Sequence, residues 1–438
     1  MQQRILPFLT FNFRNIWEKV STSYWFIPVC MMIGAFLIWI ICYTLIQRAT
    51  LPDWMLTVFP LVSMAGAQQV LSTIATSIIT ATSIAFSMTV VALTLASSQF
   101  GPRLLRTFML DKATQCVLGL LVSSFIFSLI TLHHLDSVAD NKSALAMLCG
   151  MTVCLAIADT FAIIYFIHHI GRFIQADEVI YRCYQELISN LDGLLPTYDV
   201  SDKARPIAAK LLPPAAHSVA ITTREAGYVQ TVNYTLLLHC ERNGIEGIDV
   251  HARSGDYVFP GAVVLTVHCR QTMSADELHG LLDAVTLGSK RTPVQDPEFA
   301  IGQLVELALR ALSPGINDPV TAISCLDRLT TCCIYMSQKE FPAASVVNKS
   351  TGMWLRRRTF SLTGILDKAF NQIRHDGKDH LDIALHILFC LSVLQKHLPH
   401  SMQATLSAQA RATYELALAS PLSDPDRNTL KTAFMELQ

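Results

Sequence analysis

The chain has 438 residues, of which 51% are hydrophobic and 15% are charged, whereas about 25% of the residues of an average soluble protein are charged. The charges are unevenly placed: residues 1–171 hold 8 Lys or Arg and 6 Asp or Glu, while residues 172–438 hold 25 and 28. This distribution indicates a membrane domain followed by a soluble part, and the slight acidic excess of that part argues against nucleic acid as a partner.

Uncharged runs predict four membrane spans within a transmembrane domain of residues 1–171, because a helix needs about 20 apolar residues to cross the hydrocarbon core. We expect the spans at about residues 24–46, 68–98, 114–135 and 143–170. The first run is too long for the apolar part of a secretory signal and no small-residue cleavage site follows it. We therefore expect this helix to be retained.

The basic residues predict the orientation, because they are enriched on the cytoplasmic side of a membrane protein. Two basic residues, Arg48 and Lys142, flank the spans on one side. Seven lie on the other side: Arg4, Arg14, Lys19, Arg103, Arg106, Lys112 and Arg172. We therefore expect a multi-pass protein of the bacterial inner membrane with both termini in the cytoplasm.

The second span is rich in hydroxyl side chains, with twelve Ser or Thr residues between Ser72 and Ser98. Seven residues are close to two helical turns, so residues that recur at this spacing form one stripe along a helix. The stripe consists of Thr73, Thr80, Ser87 and Thr94. It could be a seam at which helices pack closely, or the weakly polar lining of a pore at an oligomer axis. The sequence leaves both interpretations open.

Asp159 is the one Asp, Glu, Lys or Arg residue in the predicted fourth span. A carboxyl group at that depth is costly and normally faces protein or water. We expect its partners to be hydroxyl groups of the second span. Its role is either a hydrogen bond that joins two helices or an ion or proton site.

The C-terminal part reads as a cytoplasmic α+β domain. We expect a helical linker and loop at residues 172–216, a small β module at 217–270 with one helix inserted near Val232–Glu241, and a mainly helical region at 271–438. Turn signals such as Ser254-Gly255-Asp256 separate the predicted strands. The spacings of the later apolar residues are typical of amphipathic helices.

No metal or cofactor is predicted. The segment from His375 to His386 holds ligand residue types, and the spacing of Asp382 and His386 places both on one helix face. The apolar residues around them are those of an ordinary amphipathic helix, so we interpret the segment structurally.

Three blocks of the sequence resemble a bacterial family of predicted membrane proteins, domain of unknown function 2254. The blocks are Leu71–Ile74 with Ala96–Leu105, Gly227–Gln230 with Gly255–Gly261, and Gln295-Asp296 with Arg310–Pro319. The likeness covers most of the chain and is weakest toward the C-terminus. It implies four spans and a cytoplasmic domain, and it implies no activity.

The third block ends in a loop with two interpretations. Proline and glycine set its backbone, while Asn317 or Asp318 could cap a helix that Pro319 opens. Alternatively Arg310, Ser313, Asn317 and Asp318 form a site for a small ligand or ion, joined by Gln295 and Asp296 if the fold brings them near.

No nucleotide-binding, hydrolase or metalloprotease motif is present in the sequence, so we do not expect an enzyme. Two functions remain. The first is a homo-oligomeric channel in the lipid bilayer, with the second span at the axis and a cytoplasmic vestibule or sensor domain. The second is a membrane-anchored scaffold or regulatory module whose cytoplasmic domain binds a protein or a small ligand.

Overall fold

The computed structural model describes residues 23–48, 63–101, 111–138, 142–173, 175–197, 204–207, 217–240, 244–274 and 278–437. The chain divides into two compact units, Met1–Gln175 and Ala176–Gln438. Five of the basic residues on which the predicted orientation depends lie outside the described residues: Arg4, Arg14, Lys19, Arg103 and Arg106.

Four helices of the N-terminal unit are long and apolar enough to span a membrane, which confirms the number of spans predicted from the uncharged runs. They are α1 (Phe26–Arg48), α2 (Met64–Phe100), α3 (Lys112–His133) and α4 (Lys142–Phe173). The side chains of Ser63 and Asp111 cap the first turns of α2 and α3, which supplies acceptors for otherwise unpaired backbone N–H groups.

Helix α3 is the centre of this unit and packs against α1, α2 and α4. Leu118, Leu121 and Phe127 are almost fully buried along it. The Nε1 atom of Trp39 on α1 donates a hydrogen bond to Oγ1 of Thr131 at 3.0 Å. Seven large apolar side chains of α1 are exposed in the single chain, as expected of a helix whose outer face meets lipid.

The described residues of the C-terminal unit form eight α-helices. They are α5 (Ala176–Thr197), α6 (Tyr234–Leu238), α7 (Pro297–Ala311), α8 (Pro319–Ser337), α9 (Leu362–Asp376), α10 (Leu381–His397), α11 (Gln403–Leu418) and α12 (Asp424–Met435). Helix α8 packs against α5, α7 and α10, and α10 also packs against α11 and α12. The buried positions of α10, such as Ile383, Ile387 and Leu394, recur at helical spacing.

Two sheets complete this unit. The strands are β1 (Ala204–Pro206), β2 (His217–Thr222), β3 (Gly227–Val232), β4 (Ile245–Val250), β5 (Tyr257–Val258), β6 (Val263–Cys269), β7 (Val285–Gly288), β8 (Ser345–Asn348) and β9 (Trp354–Arg357). The described strands form a six-stranded sheet in the order β1-β8-β9-β4-β6-β2 and a three-stranded sheet in the order β5-β3-β7.

The predicted β module at residues 217–270 was too small. Strands β1, β7, β8 and β9 lie outside it and join its sheets. Strand β9 pairs in parallel with β4, with Ile248 opposite Leu355. The ring of Trp354 lies directly over Gly247, where a Cβ atom would collide with it. The inserted helix is also shorter than predicted and covers Tyr234–Leu238.

A turn after β4 is fixed to the start of α7. Gly255 has a φ of +93°, and a Cβ atom at this position would overlap the carboxylate of Asp296. Next to it, Arg253 donates to both carboxylate oxygens of Glu298 at 2.9 and 3.0 Å. The sheets and the helical core are therefore joined by close backbone contact and by a half-buried ion pair.

Candidate functional site

The four hydroxyl residues predicted on α2 are all exposed in the single chain. Each lies two residues before a buried position: Ala75, Thr82, Thr89 and Ala96. Two residues correspond to about 200° around a helix, so the hydroxyl stripe is nearly opposite the face that packs against α3 and α4. None of the other described helices of the N-terminal unit covers the stripe, since all four of its side chains are exposed.

Most stripe hydroxyls donate to their own helix. Thr73 donates to the carbonyl of Gln69 at 2.7 Å, Thr80 to that of Thr76 at 2.8 Å, and Thr94 to that of Val90 at 2.9 Å. The proton of each hydroxyl points toward the backbone, so its oxygen presents acceptor lone pairs outward. Thr76, Ser77 and Ser83 do the same on or beside this face.

Asp159 of α4 is 3% exposed, and its partner differs from the prediction. Its Oδ1 atom accepts a hydrogen bond from Oγ of Ser124 at 3.1 Å, so the hydroxyl comes from α3 and not from the second span. Among the described residues, neither Oδ2 of Asp159 nor Oγ of Ser123 has a hydrogen-bond partner. Oδ2 of Asp159 is therefore buried between α3 and α4 with no hydrogen-bond donor among the described residues.

The loop between α7 and α8 is built from helix caps. Asp318 caps α8 by accepting from the backbone N–H of Thr321 at 3.1 Å, and Pro319 is the first residue of that helix. The Thr321 hydroxyl also donates to Asp318 and holds the pKa of this carboxyl below its ordinary value. Ser313 donates to the carbonyl of Arg310 at 2.6 Å, while Asn317 is exposed with a φ of 52°.

Gln295 and Asp296 do not join that loop. The side chain of Gln295 accepts from the backbone N–H of Val232 and donates to its carbonyl, and Asp296 caps the start of α7 and pairs with Arg291. Arg310 lies at the other end of the same helix, roughly 20 Å away at 1.5 Å per residue. The proposed six-residue ligand site is therefore split between two ends of α7.

His386 has a partner that its neighbours in the sequence do not reveal. Its Nε2 atom lies 2.7 Å from Oδ1 of Asp327 on α8, and the sulfur of Cys390 lies within 4.8 Å of a ligand atom of each residue. In the sequence, the four-residue spacing places Asp382 on the same helix face as His386. Asp327 and His386 are 59 residues apart in the sequence, so no local sequence pattern predicted their contact.

A family model described as predicted membrane protein (DUF2254) matches residues 21–392, and the resemblance indicated by the three sequence blocks is confirmed. The uncharacterized protein Rv1290c of Mycobacterium tuberculosis and the uncharacterized protein Mb1321c of Mycobacterium bovis are each 32% identical to the chain over 281 residues. The alignment covers 63% of the chain and 53% of either relative, so the chain spans about half the length of the curated relatives it matches. No solved structure matches.

Proposed function

We propose that this chain, which belongs to the predicted membrane protein family DUF2254, is one subunit of a homo-oligomeric membrane channel. In this proposal α2 of each copy lines the shared axis, and the C-terminal unit forms a cytoplasmic vestibule that senses a ligand or membrane tension. Both termini lie on the cytoplasmic side of the bacterial inner membrane.

The observation that carries the proposal is the outward direction of the hydroxyl stripe. Within one chain, α2 packs by the face that contains Ala75, Thr82, Thr89 and Ala96. The stripe on its opposite face is exposed. A closed ring of copies with cyclic symmetry brings such a face to a common axis and removes it from lipid.

The dimensions of the stripe fit this role. Thr73 and Thr94 are 21 residues apart, which corresponds to about 32 Å of helix, and the hydrocarbon core is about 30 Å thick. Helix α2 has 37 residues in all, or about 55 Å, so it tilts or continues beyond the hydrocarbon core.

The chemistry of the stripe favours cations. The protons of Thr73, Thr80 and Thr94 are directed to backbone carbonyls, so the oxygens form the outward surface. Oxygen lone pairs substitute for part of the hydration shell of a cation, and no basic residue interrupts residues 54–102.

The same backbone hydrogen bonds support a second candidate. A hydroxyl whose proton is already bonded to its own helix tolerates lipid better than an unbonded one. The chain would then be a membrane-anchored scaffold or regulatory module whose C-terminal unit binds a protein or a small ligand, and α2 would meet no second copy.

Cysteine cross-linking separates the two candidates. The exposed cysteines of the N-terminal unit, Cys30, Cys116 and Cys154, are first replaced by serine, and α2 itself contains no cysteine. Thr80→Cys and Ser87→Cys are then oxidised in native membranes. The channel predicts covalent dimers for both variants and none for Leu37→Cys, on the exposed face of α1. Monomers alone at all three positions would remove the shared axis and favour the scaffold.

A further inference from the structure

Three metal-binding residue types meet between α8 and α10 in the C-terminal unit. An oxygen of Asp327, a ring nitrogen of His386 and the sulfur of Cys390 all lie within 4.8 Å of one another. His386 and Cys390 are four residues apart, so they share one face of α10. Asp327 reaches them from α8, which packs against this face.

We propose that Asp327, His386 and Cys390 form a binding site for a thiophilic divalent cation of the Zn²⁺ type. Asp327 and His386 form an ion pair, and the sulfur of Cys390 lies within 4.8 Å of a ligand atom of each. A carboxylate, an imidazole and a thiolate together are a ligand set of zinc and not of magnesium or calcium.

The distances suit a tetrahedral ion after small side-chain rotations. Zinc binds oxygen and nitrogen at about 2.0–2.2 Å and sulfur at about 2.3 Å, which places ligand atoms about 3.3–3.7 Å apart. The 2.7 Å separation of His386 Nε2 and Asp327 Oδ1 widens by less than an ångström. The thiol, within 4.8 Å of a ligand atom of each, moves inward by up to about 1.3 Å.

Burial places the opening of the site on the side of Asp327. Cys390 is 1% exposed, whereas the side chains of His386 and Asp327 are 19% and 55% exposed. The sulfur therefore lies at the closed end, and the position opposite it faces solvent. Three protein ligands with one open position leave room for water or an exchangeable ligand on the ion.

Burial raises the pKa of the Cys390 thiol to about 12, so a cation that binds the sulfur must displace the thiol proton. A bound ion would join α8 to α10 through the three side chains.

The test is a titration with Co²⁺, whose bond to a thiolate gives a charge-transfer absorption in the near ultraviolet. Untagged full-length protein in detergent is stripped with a chelator, titrated with Co²⁺ and then with Zn²⁺. We expect one cobalt per chain with a thiolate band, and its loss as zinc displaces cobalt. The thiolate band should be absent in Cys390→Ser. In His386→Gln and Asp327→Asn, saturation of the band should need at least a tenfold higher Co²⁺ concentration.

Cys325→Ser is the matched control, because Cys325 is a fully buried thiol on α8 outside the ligand group. This variant should keep the band. Asp327 is half exposed, so Asp327→Asn tests the site even if Cys390→Ser does not fold. A titration without a thiolate band in wild type would overturn the proposal, as would a band that survives Cys390→Ser or one that Asp327→Asn leaves unchanged.

Discussion

Thr80 and Thr82 stand two residues apart on α2 and point to nearly opposite sides of the helix. Thr80 is exposed, whereas Thr82 is 4% exposed in the contact with the rest of the unit. Each hydroxyl donates to the carbonyl four residues before it. Their local chemistry is therefore the same, and only the surface that each one faces differs.

This pair gives a matched test of the two faces. Thr82→Leu inserts a larger side chain into a packed contact, and we expect it to destabilise the fold by about 1–3 kcal/mol. Thr80→Leu should change the stability of the single chain by less than about 0.5 kcal/mol. Thermal unfolding in detergent, under conditions that keep the chain monomeric, measures both. Equal losses would show that Thr80 is also packed within the chain.

The hydrogen bond between Ser124 and Asp159 should contribute measurably to the contact of α3 with α4. Ser124→Ala removes the hydroxyl that donates to a carboxyl group that is 3% exposed, and loss of a partner for a buried polar group costs about 1–3 kcal/mol. Ser128→Ala is the control, since the Ser128 hydroxyl is also buried but donates to the backbone of its own helix. Thermal unfolding should separate the two variants, and similar effects would contradict a specific role for Ser124.

Gly255 should tolerate no side chain. Gly255→Ala combines a positive φ with a collision against Asp296, whereas Gly261→Ala has only the positive φ. Gly315→Ala has open space and no positive φ. We expect Gly255→Ala to lower the free energy of unfolding by more than about 3 kcal/mol. Gly261→Ala should lower it by about 1 kcal/mol and Gly315→Ala by less than about 0.5 kcal/mol. Chemical denaturation measures the order, and a different order would contradict the close contact at Gly255.

Asp249 should make the C-terminal unit sensitive to acid. Burial alone raises the pKa of Asp249, but hydrogen bonds from Arg356 at 2.6 Å and from His268 outweigh it and hold this pKa below its ordinary value. The pKa of the Asp249 carboxyl is lower in the native state than in the unfolded state, where it is about 3.9. The stabilisation by Asp249 is therefore complete above the unfolded pKa, and it is lost as the pH falls through the native pKa.

Asp249→Asn should therefore be less stable than wild type at about pH 5, and the gap should narrow toward about pH 3. Asp283→Asn removes one negative charge from an exposed site and serves as the control. Thermal unfolding followed by circular dichroism measures the gap at each pH. A gap that stays constant over this range would show that the ion pair does not set the acid sensitivity.

The sequence predicted the features that depend on local composition. Uncharged runs identified four helices because each helix must bury about 20 apolar residues in lipid. Heptad spacing identified the α2 stripe, since the helical repeat fixes which residues share a face. Neither argument says which face meets the neighbouring helices, so the outward direction of the stripe had to come from the structure.

The features that the sequence did not predict depend on contacts between distant segments. Strand β9 pairs with β4 across about a hundred residues, and periodicity carries no information on such pairing. The partner of Asp159 came from α3 for the same reason, because the order of spans does not say which helices touch. Asp327 and His386 belong to two helices, and only their packing reveals the group with Cys390.

The most direct test of the central proposal is the ionic current through purified protein in planar bilayers. Wild type is compared with Thr80→Leu and Ser87→Leu, each shown to keep the oligomeric state of wild type. We predict discrete, cation-selective conductance in wild type and a reduced conductance in both variants, because leucine replaces the oxygens at the axis. No current over a range of ions, voltages and tensions, or a conductance that both leucines leave unchanged, would contradict a pore lined by α2.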